Sequence, residues 1–509
     1  MSGYKTGTDR NQIGMYSLED MVGDKAMVRV IDKFIEITNL KELGINKITP
    51  APTGRPPYQP SILCKLYVYG YENGIRSSRK LERETHRNVE VMWLMDSLKP
   101  DHKTISDFRK NNVRPLQKLF REFVKLCKRW DLIGGELEAF DGSKFKASNN
   151  KKNNFSRKKI KSRLAAIDEK IDNYLAELEA QDKQDNAAES STPPKKPIEL
   201  QELEARKEQY EQYKKQLEET GANELSTVDP DARLMGNNRG GVDVAYNVQS
   251  AADAKHHIVV AYDVSNNPSD QNQLGNMVKK VKRILKVKRF IALADKGFYN
   301  GKDLLRVKKQ KVLAIVARQK PSDSKALSKT YRTENFQYNE STNTYTCPHG
   351  HILTTRNKRT AKRWRYFNKA ACKSCPHQSQ CLMGKSKYRT VTRSPYSQIY
   401  DQTDKRFAEN KELYKRRQEI VEHPFGTVKH AMNGGYFLLR TRRKVRAEVA
   451  LLFLGYNLKR ALNVLGFDEI MAKLDAISAG FNVFCVFVLV WVLRFTQCVQ
   501  NRKSFGHLG

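Results

Sequence analysis

Three acidic residues stand out by their context. Asp141 closes the apolar run LEAFD, Asp295 closes IALAD, and Glu422 lies in the basic stretch YKRRQEIVEHPFGTVKH. The two runs read as strands, and strand ends of an open sheet project their side chains into a common crevice. A helix packed over that crevice adds the glutamate. Three carboxylates in one place repel one another, and a divalent cation relieves the repulsion. Carboxylate oxygens are hard ligands that suit Mg²⁺ or Mn²⁺. Two such ions, about 3.5–4 Å apart, clamp the attacking and leaving oxygens of an in-line phosphoryl displacement. Any one acid among 56 Asp and Glu reads as a solvated surface charge. The ordered set of strand Asp, strand Asp and helix Glu in basic surroundings is what points to chemistry.

A second constellation is sulfur. Cys347, Cys372, Cys375 and Cys381 are spaced C-x24-C-x2-C-x5-C, and a C-x2-C knuckle with two further cysteines suits tetrahedral Zn²⁺. His349, His351 and His377 are alternatives for one thiolate, and the bland readings are four reduced thiols or a redox pair. A closed four-cysteine site is structural, folding a segment with little core of its own. The remaining Cys64, Cys127, Cys485 and Cys498 are scattered in apolar or helical surroundings, which reads as structural use in a reducing compartment.

The elements that must position these groups follow from periodicity. Residues 1–130 read as short helices broken at Gly70, Gly74 and Ser77-Ser78, with Thr104 or Ser106 capping a helix that carries Arg109 and Lys110. Short helices, tight turns and exposed Arg/Lys suit a helix-turn-helix-like DNA reader; a helical bundle with a basic face is the alternative. LIGGELEAFDGSKFKAS reads as a strand ending at Asp141, then a glycine turn. Leu164, Ile167, Ile171, Leu175 and Leu178 form a 3-4-4-3 seam and, after a loop over 185–197, pair with a stripe of Leu200, Leu203, Tyr210, Tyr213 and Leu217 as an antiparallel hairpin. VDVAYNVQ alternates as a half-exposed strand and pairs with HIVVAYDVS. Asp243 and Asp253 in this region read as structural. Residues 289–294 and the run KVLAIVA are further short strands, 400–429 is a basic helix, and 445–465 is an amphipathic closing helix.

The 509 residues carry 92 Lys and Arg, giving a formal net charge of +36. That length predicts about two to four domains, and 22 Tyr with 21 Phe exclude wholesale disorder. So large a positive excess favours a polyanionic partner, nucleic acid first. KRTAKRWRYF mixes cations with aromatic rings, which suits backbone contact and stacking on DNA ends. The polar opening MSGYKTGTDRNQIG has no apolar run, so a cytosolic location is expected. The apolar stretch 480–493 falls short of the roughly 18–20 residues that span a bilayer, and no membrane role is expected from it.

These motifs together resemble the bacterial insertion-sequence transposases of the DDE type, and more narrowly the branch with an InsH-like N-terminal domain and a helical insertion. The resemblance covers about residues 10–465. It is carried by YGYENGIRSSRKLERETHRNVEVMWLMDSLKPDHKTISDFRK, FDGSKFKAS, GVDVAYNVQSAAD, ADKGFYNGKDL, VEHPFGTVKH and YNLKRALN. It implies that Asp141, Asp295 and Glu422 are the catalytic, Mg²⁺- or Mn²⁺-binding acids. It also implies DNA contacts from Lys429, seven positions after the glutamate, and from Tyr414 and Arg417 upstream. The Arg-to-Glu spacing is one residue longer than the commonest pattern, so Arg416 shares the position with Arg417, and Glu419 is the alternative to Glu422.

The expected fold class is α/β, an RNase-H-like mixed-sheet core. A helical DNA-binding domain (1–130) precedes a catalytic domain (131–466), which is split by a coiled-coil-like insertion (157–219) and a Cys-rich zinc-ribbon-like insertion (340–395). An apolar tail (467–509) departs from the family's usual ending. The expected function is metal-dependent cleavage at insertion-sequence ends and strand transfer. Expected partners are double-stranded DNA, as terminal inverted repeats and target, and a second copy in a homodimer on DNA. The expected location is the bacterial cytoplasm, on the nucleoid. A DNA-binding remnant without catalysis and a nuclease that does not join strands are the competing readings.

Overall fold

The helical start is written into local chemistry. In a computed structural model that describes residues 15–45, 56–185, 197–237, 240–318, 328–356, 363–382 and 386–479, Ser17 and Asp20 close a capping box on Leu18–Met21. Pro60 opens Pro60–Glu72, where its missing N–H costs nothing. The helix His102–Asn111 is capped by Asp101, whose carboxylate accepts from Lys103 N and Thr104 N at 2.9 Å each. The cap therefore lies just upstream of Thr104 and Ser106, because a carboxylate at Asp101 already satisfies the first orphan donors. Helices Ser78–Arg87, Val89–Leu94 and Val113–Arg129 complete the series.

Among the described residues the strands are β1 (Leu137–Lys146), β2 (Asn154–Ser156), β3 (Glu224–Ser226), β4 (Arg233–Gly236), β5 (Val242–Asp253), β6 (Val259–Ser265), β7 (Ile291–Ala294), β8 (Leu313–Val316), β9 (Gln337–Asn339), β10 (Thr344–Thr346), β11 (Ile352–Thr355), β12 (Trp364–Phe367) and β13 (Thr390–Arg393). The chain divides into two compact units. One holds Met1–Gly134, Gly142–Ser269 and Glu422–Gly509; the other holds Gly135–Asp141 and Asp270–Val421.

In the first unit β5 pairs antiparallel with β4 and with β6. The second half of β1 lies beside β5, with Ala147 N donating to Val244 O at 2.8 Å. β5 is buried from Val244 to Asp253, on both faces. The alternation of VDVAYNVQ predicts a half-exposed strand. The structure buries its polar positions instead, and Gln249 Nε2 donates to Asn247 Oδ1 at 3.0 Å while Asn247 Nδ2 reaches Asn267 O at 3.3 Å. The helix Arg442–Leu465 packs against Pro60–Glu72 so closely that a Cβ at Gly455 would lie 3.1 Å from Glu72 Cα. Lys459 and Glu72 pair at 2.9 Å. The predicted helical hairpin is Arg157–Asp185 with Pro197–Thr220; Ile160, Ile167 and Leu217 are buried and Lys207 meets Asp168 at 2.8 Å. Most of the predicted loop, 186–196, lies outside the described residues, as does the apolar run 480–493. Residues 467–479 are helical, with Ile470 and Leu474 buried.

In the second unit the first half of β1 pairs parallel with β7, and β7 pairs parallel with β8. Helices Leu274–Leu285, Gly301–Lys309 and Ser397–Glu409 accompany these strands, and Arg406 donates to Ala314 O at 2.8 Å. β9 to β13 form a separate antiparallel sheet in sequential order around Phe336, Tyr345, Leu353, Tyr366 and Val391. This is more regular structure than the low periodicity of 320–395 suggests.

Candidate active site

β1 does not end at Asp141. It continues to Lys146, and Lys146 N donates to Gly435 O at 3.1 Å while Phe437 N donates to Lys146 O at 2.8 Å. These partners come from far away in sequence, and Gly142 lies within the strand where a turn is expected. Asp141 therefore sits in the middle of a strand.

The parallel register pairs Leu137 with Ile291 and Phe140 with Ala294. Asp141 and Asp295 each follow directly on the last pair of that register. Neighbouring strands run about 4.8 Å apart, so the two predicted aspartates are brought side by side. Asp295 lies where β7 ends and Lys296–Phe298 begins as a 3₁₀ turn. The following loop is fixed from the helix Ser397–Glu409. Tyr299 Oη donates to Asp404 at 2.7 Å, the Tyr299 and Tyr400 rings stack at 4.9 Å, and Gly301 N donates to Tyr400 Oη at 2.8 Å. Sequence reading passed over Tyr299, Tyr400 and Asp404; the aromatic inside ADKGFYNG was the available signal.

The helix Lys411–Gly426 carries Tyr414, Arg417 and Glu422. Arg417 Nη2 stands 3.8 Å from Asp295 Oδ1, with the arginine side chain 16% exposed and the aspartate 39%. Its guanidinium also lies 5.8 Å from the Tyr414 ring. Burial pushes the Tyr414 hydroxyl up from its ordinary pKa, with Arg417 pulling the other way. Arg416 is exposed, so of the two candidates Arg417 is the one turned towards Asp295. Glu422 is exposed on the same helix. Among the described residues no group of three His, Cys, Asp or Glu side chains is arranged to hold a metal ion. The donor chemistry of the Asp141–Asp295 pair nonetheless fits a hard divalent cation, and a positive charge already faces one of its carboxylates.

Pro424 lies inside the helix, but the chain neither stops nor restarts there. It passes into a π-turn, Thr427–Ala431, that holds Lys429. Pro424 has no N–H to give back to the preceding turn, which frees a carbonyl and favours such local widening. Lys429 Nζ donates to Ser143 Oγ at 2.6 Å and lies 4.8 Å from the Phe145 ring centroid. The two residues alternate with Asp141 on β1, so period two would have singled out Ser143.

Arg109 is a correction. It is 4% exposed, donates to Tyr71 Oη at 2.8 Å and to Arg76 O at 3.1 Å, and faces the Tyr67 ring at 5.3 Å. The carboxylate of Glu448, fully buried, stands 3.6 Å from Arg76 and accepts from Leu438 N at 3.0 Å. Arg109 thus belongs to a buried ionic core and does not reach a DNA phosphate; a basic residue near a helix C-terminus only looked solvated. Asp253 is structural as expected, accepting from Gly134 N at 3.1 Å and Lys255 N at 2.8 Å.

Cys347, Cys372, Cys375 and Cys381 line one small cavity of about 30 Å³ together with His349 and His351. All four thiols are free and half-buried. His351 N donates to Cys347 Sγ at 3.3 Å, and Gly350 turns with a φ of +83° beneath it. Burial pushes the Cys381 thiol up, while Arg389 pulls it down and the other three cysteines push it further up. In the predicted DNA-contacting run KRTAKRWRYF, residues up to 362 lie outside the described residues, and Trp364–Phe367 is β12.

No helix among the described residues is long and apolar enough to cross a membrane. No curated protein and no solved structure matches the chain. Two family models do: a transposase domain, DUF772, over residues 16–111, and a transposase DDE domain over residues 346–462. The first covers the N-terminal helices as far as His102–Asn111, and the second runs through the cysteine cluster, Tyr414, Arg417, Glu422 and Lys429 to the closing helix. The two matched domains support an insertion-sequence transposase of the DDE type and indicate a function in transposition.

Proposed function

We propose that the protein cuts phosphodiester bonds at insertion-sequence ends and joins the freed 3′-hydroxyl to target DNA, at a site made by Asp141, Asp295 and Glu422. The parallel register that ends at Phe140 and Ala294, the residues just before Asp141 and Asp295, supports this reading. Two carboxylates at neighbouring positions repel each other; Asp141 and Asp295 would hold Mg²⁺ or Mn²⁺, which would supply the compensating charge and stabilise charge developing on phosphate oxygens. Arg417 holds the Asp295 carboxylate from the helix side, and Tyr414 packs beside that guanidinium. Lys429 meets a DNA phosphate near the scissile bond, where a lysine serves as a point charge. An RNase-H-like core is the fold this reading carries, and the parallel pairing of β1 with β7 and of β7 with β8 supports it.

The four cysteines are proposed to hold a structural Zn²⁺, which suits a small sheet packed, among the described residues, around Phe336, Tyr345, Leu353, Tyr366 and Val391. Excess positive charge brings double-stranded DNA in, with a steep salt dependence. Two element ends must meet for insertion, which favours a homodimer on DNA. The test is incubation of purified protein with duplexes bearing candidate terminal repeats and a target plasmid. Cleaved and joined products should form with Mg²⁺ and vanish with EDTA. Undiminished cleavage in EDTA would remove the metal from the reading, and cleavage without joined product would leave a nuclease.

A further inference from the structure

Ser143 has no role in the reading above, yet it touches one of its principal residues. It stands two positions after Asp141 on β1, on the same face by strand periodicity. Its hydroxyl accepts from Lys429 Nζ at 2.6 Å. Phe145, the next residue on that face, presents its ring 4.8 Å from the same ammonium and is itself buried against Phe437 at 5.5 Å and Phe425 at 6.0 Å. The lysine backbone is held as firmly as its tip. Met432 N closes the π-turn onto Thr427 O at 3.0 Å, and Gly434 N donates to Val428 O at 2.8 Å. Any side chain at Gly434 would meet that carbonyl at 2.5 Å.

An ammonium on a four-carbon stem is strongly hydrated and samples many rotamers. A hydroxyl and an aromatic face on one strand convert it into a charge of fixed position. We propose that Ser143 is a positioning residue for the transposition chemistry: it aims the Lys429 ammonium at the DNA phosphate from the strand that carries Asp141. The proposal rests on the assignment of Lys429 to DNA above. It makes the first acidic motif, FDGSKF, bipartite, with Asp141 for the cation and Ser143 for the lysine.

The experiment is a double-mutant cycle on the full-length protein with Ser143→Ala, Ser143→Thr, Lys429→Met and the Ser143→Ala/Lys429→Met double variant. The readouts are affinity for an end-bearing duplex across a salt series and the single-turnover cleavage rate with Mg²⁺. Lys429→Met is expected to weaken binding and to reduce the slope of log affinity against log salt by about one. Ser143→Ala is expected to slow cleavage about ten-fold with the salt slope unchanged, because the charge is still present but unaimed. Ser143→Thr, which keeps the hydroxyl on a β-branched side chain suited to a strand, should restore the rate to within about two-fold. In the Lys429→Met background Ser143→Ala should cost nothing more. A Ser143→Ala defect that persists at full size without Lys429, or no defect at all, overturns the positioning role. An unchanged salt slope in Lys429→Met instead overturns the DNA assignment of the lysine, so the two failures read differently.

Discussion

Arg417 reaches Asp295 from the helix that also carries Glu422, its Nη2 3.8 Å from Oδ1. The contact couples an acid at a strand end to a cation that is only 16% exposed, so the aspartate's orientation depends on a residue outside the sheet. Removing the guanidinium should slow cleavage by roughly ten- to a hundred-fold, the usual cost of a lost charge-assisted contact. Single-turnover cleavage by Arg417→Met, beside a thermal melt showing an intact fold, checks this. Arg416→Met, at an exposed position, should stay near the wild-type rate.

The buried Arg76, Arg109 and Glu448 group predicts a stability effect where the sequence suggests a DNA effect. Glu448→Ala strands two buried guanidiniums and the N–H groups of Leu438 and Leu439, and should cost about 3–5 kcal/mol in urea unfolding. Arg109→Met should lower the unfolding midpoint while leaving the salt slope of DNA binding unchanged. A reduced slope with normal stability would return Arg109 to the DNA surface.

The cysteine cluster predicts bound metal. Purified protein should carry about one zinc per chain by elemental analysis. Cys372→Ser/Cys375→Ser should lose it and make the 328–395 region sensitive to limited proteolysis. Zinc-free protein with a protease-resistant region would leave the four thiols as core residues.

A pH effect follows from His256. Burial lowers its pKa from the ordinary value, and Lys255 and Arg460 push in the same direction. The folded chain therefore binds fewer protons than the unfolded one once pH falls below about 6.5, so stability rises with pH through that window and is lost on acidification. His256→Gln should flatten the dependence of the urea midpoint between about pH 5 and 6.5 while leaving the value at pH 8 nearly unchanged.

Much of this arrangement is legible before any coordinates. The run of apolar residues before Asp141 and Asp295 announces two strands, and the structure sets those aspartates beside each other. The 3-4-4-3 seam announces two paired helices, of which Ile167 is buried while Leu175 is exposed; the cysteine spacing announces a zinc site, and the structure gathers the four thiols around one cavity. What could not be read depends on partners far away in sequence. β1 runs past Gly142 to Lys146, whose hydrogen bonds come from Gly435 and Phe437, almost 300 residues downstream. Asn247 and Gln249 look solvent-facing by alternation, yet they are buried because both faces of β5 are covered. Arg109 looks like a surface cation until Glu448 arrives from the closing helix. Ser143 looks like turn punctuation until Lys429 arrives from the π-turn.

The central claim is that Asp141, Asp295 and Glu422 are the groups that cut DNA. The measurement that tests it most directly is Mg²⁺-dependent cleavage of an end-bearing duplex by Asp141→Ala, Asp295→Ala and Glu422→Ala, each with its affinity for the same duplex. All three should bind DNA as tightly as the parent protein and cleave none of it. Normal cleavage by any one of them would contradict its place in the site, and normal cleavage by either aspartate variant would contradict the site itself.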